Sequence, residues 1–118
     1  MTNKFDIDLR YGQIFEAKLS HIFKDKKVEV KTERDHWRKT GNIAIEYECR
    51  GKKSGISVTE ADWWCHVLAD GNEVNSMLMM PTDKMKSLAR KYYKNKKKGG
   101  DDNASKFVLI PLKEMFNE

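Results

Sequence analysis

Two short segments of this chain constrain its fold more than any other feature. Residues 27–33 (KVEVKTE) and residues 42–49 (NIAIEYEC) both alternate apolar and polar side chains. A two-residue period of this kind is typical of a half-buried β-strand. The stretch between the two segments contains the turn-forming sequence KTGN. The pattern therefore predicts that the two strands pair with each other as a hairpin.

The predicted hairpin collects acidic side chains on one patch of sheet. Glu29, Lys31 and Glu33 share a face of the first strand, and Glu46 and Glu48 share a face of the second. Like charges that face each other across paired strands are destabilising. Four carboxylates and one ammonium held in this way indicate that a cation lies between them, so we expect a divalent metal site.

Length and charge limit the class of protein. The 118 residues are enough for one domain, residues 1–118, with a core of its own. Charged residues make up 35% of the chain, above the usual quarter, and the net charge is +5. A basic surplus beside an acidic site favours a protein that attracts a polyanion and keeps its carboxylates for chemistry.

Cysteine spacing and hydropathy exclude other classes. Cys49 and Cys65 are isolated thiols, and with the three histidines they form neither a disulfide framework nor a zinc motif. The first ten residues contain no apolar run typical of a signal peptide, and no segment has the length of a membrane span. We therefore expect a soluble, cytoplasmic protein that does not bind membranes.

The remaining elements follow from periodicity and capping signals. A helix is predicted from Asp6 or Asp8 to about Ile22, and a short helix at TEADW with Thr59 as its cap. Residues 64–70 and 76–81 are predicted strands around an Asp-Gly-Asn turn, and Thr82 is the predicted cap of another amphipathic helix. A polar loop, the buried strand KFVLIPL and a final helical turn complete the chain. The order predicts an α+β domain, a mixed β-sheet flanked by helices.

The elements EVKTE, TGNIAIEYE, SGI and TEADWW, after a helix that carries Glu16, resemble the PD-(D/E)XK nuclease superfamily. This restriction-endonuclease-like group includes Holliday junction resolvases and short phage endonucleases. The resemblance covers about residues 8–64, and the rest of the chain matches only in the order of its elements. It implies a restriction-endonuclease-like fold, Mg²⁺ or Mn²⁺ as cofactor, DNA as partner and a homodimer. A phage-encoded member would act in the host cytoplasm.

The resemblance can be applied in two registers. In the first, Glu33 and Glu46 are the metal ligands, Glu48 stands where the family has lysine, and Lys31 supplies the amine. In the second, Glu29 and Lys31 form the E-x-K pair, and the additional acid would be Asp25 in a predicted turn. The first register uses both predicted strands and is preferred. Glu16 matches an acid that resolvase-like members carry on their first helix.

The predicted chemistry is metal-dependent hydrolysis of a phosphodiester. Bound Mg²⁺ lowers the pKa of a coordinated water and stabilises the charge that develops on phosphorus oxygens. Lys31 would orient the attacking water, and Glu16 and Glu48 would be supplementary acids, with Glu16 a possible third metal ligand. The sequence contains no literal PD dipeptide, so an inactive relative of the same fold is an open alternative.

Two basic segments are candidates for DNA contact, with solvated loops as the alternative for each. RGKKSG combines cations with glycines that allow close backbone approach, and RKYYKNKKK combines cations with Tyr93, which could stack on a base. The predicted DNA-binding residues are Lys52, Lys53, Ser54, Arg90, Lys91, Lys96, Lys97 and Lys98.

The sequence thus predicts a metal-dependent endonuclease, with branched DNA as the first expected substrate. Two alternatives stay open: a DNA-binding module of the same fold without turnover, and a phage protein that inhibits a host factor.

Overall fold

The computed structural model describes residues 3–116 and confirms the α+β class, with three helices and two β-sheets. The helices are α1 (Lys4–Asp25), α2 (His36–Thr40) and α3 (Thr82–Lys91). The strands are β1 (Val28–Glu33), β2 (Asn42–Cys49), β3 (Lys52–Lys53), β4 (Trp63–Asp70), β5 (Glu73–Pro81), β6 (Lys96–Gly99) and β7 (Ser105–Pro111). Short 3₁₀ turns lie at Gly55–Ser57, Asp101–Asn103 and Leu112–Glu114.

The strands form two separate sheets where one mixed sheet was expected. Sheet A has the order β1-β4-β5, with β1 parallel to β4 and β5 antiparallel to β4. Sheet B has the order β3-β2-β7-β6 and is antiparallel throughout. The predicted strand pair around the Asp-Gly-Asn turn is confirmed as β4 and β5, and the predicted strand KFVLIPL is confirmed as β7.

The predicted hairpin of β1 and β2 is wrong, because the two strands belong to different sheets. The segment between them forms α2, which is fastened to the β4–β5 end of sheet A. The indole Nε1 of Trp37 donates to the carbonyl of Ala69 at 2.8 Å, and Arg38 pairs with Asp70 at 2.9 Å. These bonds hold the start of the linker beside sheet A, so β1 lies along β4 and the chain crosses to sheet B before β2 begins.

The core lies between the inner faces of the two sheets and is closed by α3. Ile43 and Ile45 of β2, Trp64 of β4 and Met85 of α3 are each no more than 1% exposed. Burying a side chain of this size stabilises a fold by about 1.5–3 kcal/mol relative to exposure. Trp64 is therefore one of the large side chains that stabilise this core.

Two predicted caps and one predicted loop differ in the structure. The predicted helix at TEADW is an extended loop, because the Thr59 hydroxyl accepts from Ala61 N–H at 3.2 Å in a tight local turn and does not cap a helix. Thr82 is the first residue of α3, and its buried hydroxyl has no hydrogen-bond partner. The polar loop contains the short strand β6, which pairs with β7.

Helix α1 extends beyond its predicted bounds and projects away from both sheets. Asn3 caps it by accepting from Asp6 N–H at 2.9 Å, and it ends where Lys26 takes an extended conformation. None of its residues is buried. A helix of 22 residues is about 33 Å long, which explains why the molecule measures 64 Å along one axis and 29 Å along the other two.

Candidate functional site

Glu33, a predicted metal ligand, serves in the structure as the link between the two sheets. Its Oε1 accepts from the backbone N–H of Ala44 in β2 at 2.6 Å and lies 2.9 Å from Nε2 of His66 in β4. The Glu33 side chain is only 15% exposed, and that of His66 only 2%. One carboxylate oxygen therefore satisfies a strand donor of sheet B and an imidazole of sheet A.

The hydrogen bonds of His66 fix its tautomer. The indole N–H of Trp64 points at Nδ1 of His66 at 3.1 Å, so Nδ1 accepts and carries no proton. Nε2 must then carry the ring proton and donate it to Glu33. The row Trp64–His66–Glu33–Ala44 is a buried network in which every donor has an acceptor, and such networks are costly to interrupt.

Glu46 and Glu48 lie on opposite faces of sheet B, although the sequence predicts that they share a face. Glu46 pairs with Phe107 and Glu48 with Lys106, so Tyr47 has no partner in β7 and forms a β-bulge. Phe107 and Lys106 are adjacent in β7 and point to opposite sides of the sheet. The extra residue therefore reverses the alternation of β2 and separates the two carboxylates.

Hydrogen bonds to the Tyr47 carbonyl hold the bulge in place. That oxygen accepts from Ser54 N–H at 3.1 Å and from the Ser57 hydroxyl at 2.8 Å. Gly55, between these two donors, has φ of +53°, and a Cβ there would meet the backbone carbonyl of Glu46. The SGI element thus has a structural role here: it packs against the bulge with a backbone conformation that favours glycine.

The other predicted site residues are dispersed. Lys31 lies on β1 with its Nζ 3.7 Å from Glu29 Oε1, and both side chains are partly exposed. Glu16 is exposed on the projecting helix α1, and its carboxylate faces none of the others. Among residues 3–116, no group of three or more His, Cys, Asp or Glu side chains is arranged to hold a metal ion.

A basic cleft lies where β2, β3, β6 and β7 meet α3. It consists of two adjoining hollows of about 510 and 380 Å³, and both are lined by Tyr47, Glu48 and Tyr93. The cations that line it are Lys53, Lys86, Arg90, Lys96, Lys97, Lys98 and Lys106. Among the described residues that line these hollows, Glu48 is the single acid.

Four strands of sheet B place their charges in one row across the cleft. Lys53 pairs with Glu48, Glu48 with Lys106, and Lys106 with Lys98. The Nζ of Lys106 lies 2.8 Å from Glu48 Oε2, and this hydrogen bond and charge raise the pKa of Lys106 above its ordinary value. The row holds three ammonium groups and one carboxylate, so a positive charge excess remains.

Two tyrosines separate the hollows of the basic cleft. The rings of Tyr47 and Tyr93 meet edge to face with centroids 5.5 Å apart, and Lys96 Nζ lies 3.9 Å from the centroid of Tyr93. Tyr93 is nearly half exposed, at 47%. An aromatic surface flanked by ammonium groups can contact both the bases and the phosphates of a nucleic acid.

The structure gathers five of the eight predicted DNA-binding residues at the basic cleft: Lys53, Arg90, Lys96, Lys97 and Lys98. Lys52 and Lys91 are exposed outside its lining, and Lys91 lies over the ring of Tyr92. The hydroxyl oxygen of Ser54 is buried and does not reach the surface.

Sequence reasoning missed Lys86, Lys106, Tyr47 and His66. Lys86 precedes Arg90 by four residues on α3, a spacing that places both on one helix face and could have indicated a shared surface. His66 could not be found in this way, because its partner Glu33 lies on another strand, distant in the sequence.

Among residues 3–116, no helix combines the length and the hydrophobicity needed to cross a lipid bilayer. Family models, curated proteins and solved structures were each compared with this chain, and none of them matches it.

Proposed function

We propose that this chain is a DNA-binding protein whose contact surface is the basic cleft. The observation that carries the proposal is the charge of that cleft: seven cations and one carboxylate line two hollows that meet at the tyrosines. The carboxylate is already paired with Lys106, so it does not offset the other six cations. Such a surface attracts phosphates and releases condensed counterions when DNA binds.

The geometry favours a nucleic acid over a small anion. The cations come from three strands and one helix and are spread along two adjoining hollows, and they do not converge on one point. A chain of phosphates can contact several of them in succession, while exposed bases can approach Tyr93. Binding through phosphates in this way depends little on sequence and strongly on salt.

The test is the binding of fluorescent single-stranded and duplex DNA by the full chain at several salt concentrations. The logarithm of the association constant should fall linearly with the logarithm of the salt concentration, with a slope of about −0.9 per neutralised phosphate for duplex and −0.7 for single strands. Lys86→Gln should make this slope shallower by about one contact. Lys84→Gln, on the same helix but outside the cleft lining, is the matched control and should leave the slope unchanged.

Glu48 offers a sharper test, because neutralising this acid should strengthen DNA binding and not weaken it. As the acid of the basic cleft, it competes with phosphate for Lys106, so Glu48→Gln should tighten DNA binding several-fold and steepen the salt slope by about one contact. An unchanged or weaker affinity in Glu48→Gln, or an unaltered slope in Lys86→Gln, would overturn the assignment of the cleft.

A second candidate function is metal-dependent DNA cleavage, and one specific observation favours it. The Glu33 carboxylate contacts the N–H of Ala44, and Ala44 and Glu46 point to the same face of β2. Two residues of strand span about 7 Å, so this second function requires the Glu46 side chain to reach across that distance toward Glu33. Two carboxylates together with water and phosphate oxygens are a usual ligand set for Mg²⁺.

Cleavage of supercoiled plasmid and of a four-way junction with Mg²⁺ or Mn²⁺ tests this second function. Glu46→Gln should then abolish cleavage and leave the salt dependence of binding intact, because Glu46 does not line the basic cleft. Glu73→Gln, on the exposed start of β5, is the matched control. If the protein binds DNA but cleaves none with either metal, the binding function stands without the enzymatic one.

A further inference from the structure

Two apolar surfaces of this chain lie largely uncovered, one on α1 and one on sheet A. Only two residues separate α1 from β1, the first strand of that sheet. The first is the α1 stripe, defined as the exposed apolar side chains of α1. They are Phe5, Ile7, Leu9, Tyr11, Ile14, Phe15, Leu19 and Phe23, each between 49% and 71% exposed. No other element packs along α1. An amphipathic helix in water gains most of its stability by packing such a stripe against a partner.

The second surface is the outer face of sheet A, opposite the core. The strand register places three rows of side chains on it, and eight of these nine residues are apolar. The rows are Val28–Trp63–Pro81, Val30–Cys65–Met79 and Thr32–Val67–Met77. On the outer strands Val30 is 57% exposed and Met77 62%, whereas Cys65, in the central strand, is buried between its neighbours. Parallel strand pairs such as β1 and β4 normally have both faces covered, usually by a helix.

We propose that α1 of one chain covers the outer face of sheet A of a second copy, and that the exchange is reciprocal. Each copy then supplies one helix and one sheet face, which gives a closed, two-fold symmetric dimer. This proposal concerns a surface separate from the basic cleft and does not depend on DNA binding.

The connection between α1 and β1 favours a second copy over the chain's own helix. Only Lys26 and Lys27 separate Asp25 from Val28. The three residue-to-residue steps from Asp25 to Val28 span at most about 10 Å when fully extended. Packed layers of secondary structure are also about 10 Å apart. For α1 to fold back onto its own sheet, the link would have to be fully extended, and no residue would remain to form a turn. Short hinges of this kind favour exchange between copies. In the structure the link is extended and α1 points away from its own sheet.

The area is sufficient for a stable dimer. A large side chain that is half exposed can bury on the order of 100 Å², so two α1 stripes and the two sheet faces beneath them would remove on the order of 2,000 Å² from water. Stable interfaces need about 1,200–2,000 Å², and exchanged or obligate dimers lie at the upper end of that range or beyond.

The charges of α1 argue against a membrane or a nucleic acid as the occupant. The helix carries four acidic residues, Asp6, Asp8, Glu16 and Asp25, and four basic ones, Lys4, Arg10, Lys18 and Lys24. Helices that bind anionic lipid surfaces have a polar face rich in lysine and arginine, and phosphate-binding segments are basic as well. A neutral helix with a broad apolar stripe fits a protein surface of the same apolar character.

The test is sedimentation of the full-length chain over a range of concentrations, with light scattering to give the mass. The wild type should be a dimer. Leu19→Asp in the α1 stripe and Met77→Asp on the sheet face should each give monomers, with an affinity loss of at least a hundredfold. Ser20→Asp, on the polar side of α1, and Asn72→Asp, in the β4–β5 turn, are matched controls and should stay dimeric.

Mixing the two monomeric variants identifies the exchange itself. The intact helix of Met77→Asp can cover the intact sheet face of Leu19→Asp, so the mixture should form a heterodimer with one of the two contacts. A wild type that is monomeric at about 100 µM overturns the proposal. Hydrogen exchange would then show whether α1 is protected on its own sheet or unprotected in solvent, and either result leaves the proposal overturned. So does a dimer that survives both aspartate substitutions, or a mixture that stays monomeric.

Discussion

Replacing Glu33 by alanine tests whether this side chain joins the two sheets. The substitution removes the oxygen that accepts from Ala44 N–H at 2.6 Å and from His66 Nε2–H at 2.9 Å. His66 is 1% exposed, so water cannot readily replace the lost acceptor. A buried donor left without a partner costs about 1–3 kcal/mol. With two such donors, Glu33→Ala should lower the free energy of unfolding by about 2–5 kcal/mol, out of the 5–15 kcal/mol typical of a domain.

Urea denaturation followed by tryptophan fluorescence measures this change. With a denaturant slope of about 1.5 kcal/mol per molar, the midpoint should fall by about 1–3 M while the slope stays the same. Glu33→Gln keeps an oxygen acceptor at the same position and should cost less than Glu33→Ala, because only the charge of the acceptor is lost.

Glu29→Ala is the matched control for this measurement. Glu29 lies on the same strand and face as Glu33, but its partner is the partly exposed Lys31 at 3.7 Å. Surface pairs of this kind contribute about 0–1 kcal/mol. If Glu33→Ala is no less stable than Glu29→Ala, the Trp64–His66–Glu33 network does not hold the sheets together. Glu33 would then be free for another role, such as binding a metal.

Two further predictions concern backbone conformation and thiol reactivity. Gly55→Ala should destabilise the fold by about 1–3 kcal/mol in the same urea assay, because φ is +53° and the new Cβ would meet the carbonyl of Glu46. Gly12→Ala on exposed α1 is the control: its new Cβ would contact no other atom, and stability should stay equal or rise by up to about 1 kcal/mol. Burial raises the pKa of the Cys65 thiol above its ordinary 9.0, so less of its thiolate forms at pH 8. Alkylation at pH 8 should therefore modify the partly exposed Cys49 first, and Cys65 should be labelled only as the pH rises further. Peptide mass spectrometry reads both cysteines, and equal labelling rates at pH 8 would contradict this order.

The sequence was sufficient to locate most elements of the fold. Alternation identified β1 and β2, and the apolar run identified β7, because a strand with one or two apolar faces repeats its side chains in a regular order. The apolar stripes of α1 and α3 were found from their helical periodicity. The fold class and the order of the elements therefore followed from the local pattern of apolar and polar residues.

Strand pairing was not predictable in the same way. Alternation shows that β1 and β2 each have an apolar face, but not which strand lies beside them. Their neighbours were decided by contacts distant in sequence, such as the Trp37 indole on Ala69. A hairpin is the default for two strands separated by a short turn, and here α2 occupies that turn.

The site was predictable only in its basic part. Lysines cluster visibly along the chain, and five of the predicted cations do line the cleft. The predicted acidic site was wrong because the sequence continues to alternate from Glu46 through Tyr47 to Glu48, whereas the β-bulge at Tyr47 interrupts the alternation of side chains across the sheet. The bulge depends on two hydrogen bonds from the Ser54–Ser57 turn, which no periodicity in β2 could indicate.

The chain crosses repeatedly between its two sheets, and this order has a consequence for how the protein emerges from a ribosome. β2 is made well before β7, the long strand that pairs along it. Until β7 is made, β2 can pair only with the two-residue β3, at Glu48 and Cys49, and Ile43 and Ile45 have no partner strand in sheet B. Folding of sheet B therefore depends on the synthesis of β7, and a chain truncated before Ser105 would leave that sheet without one of its two central strands.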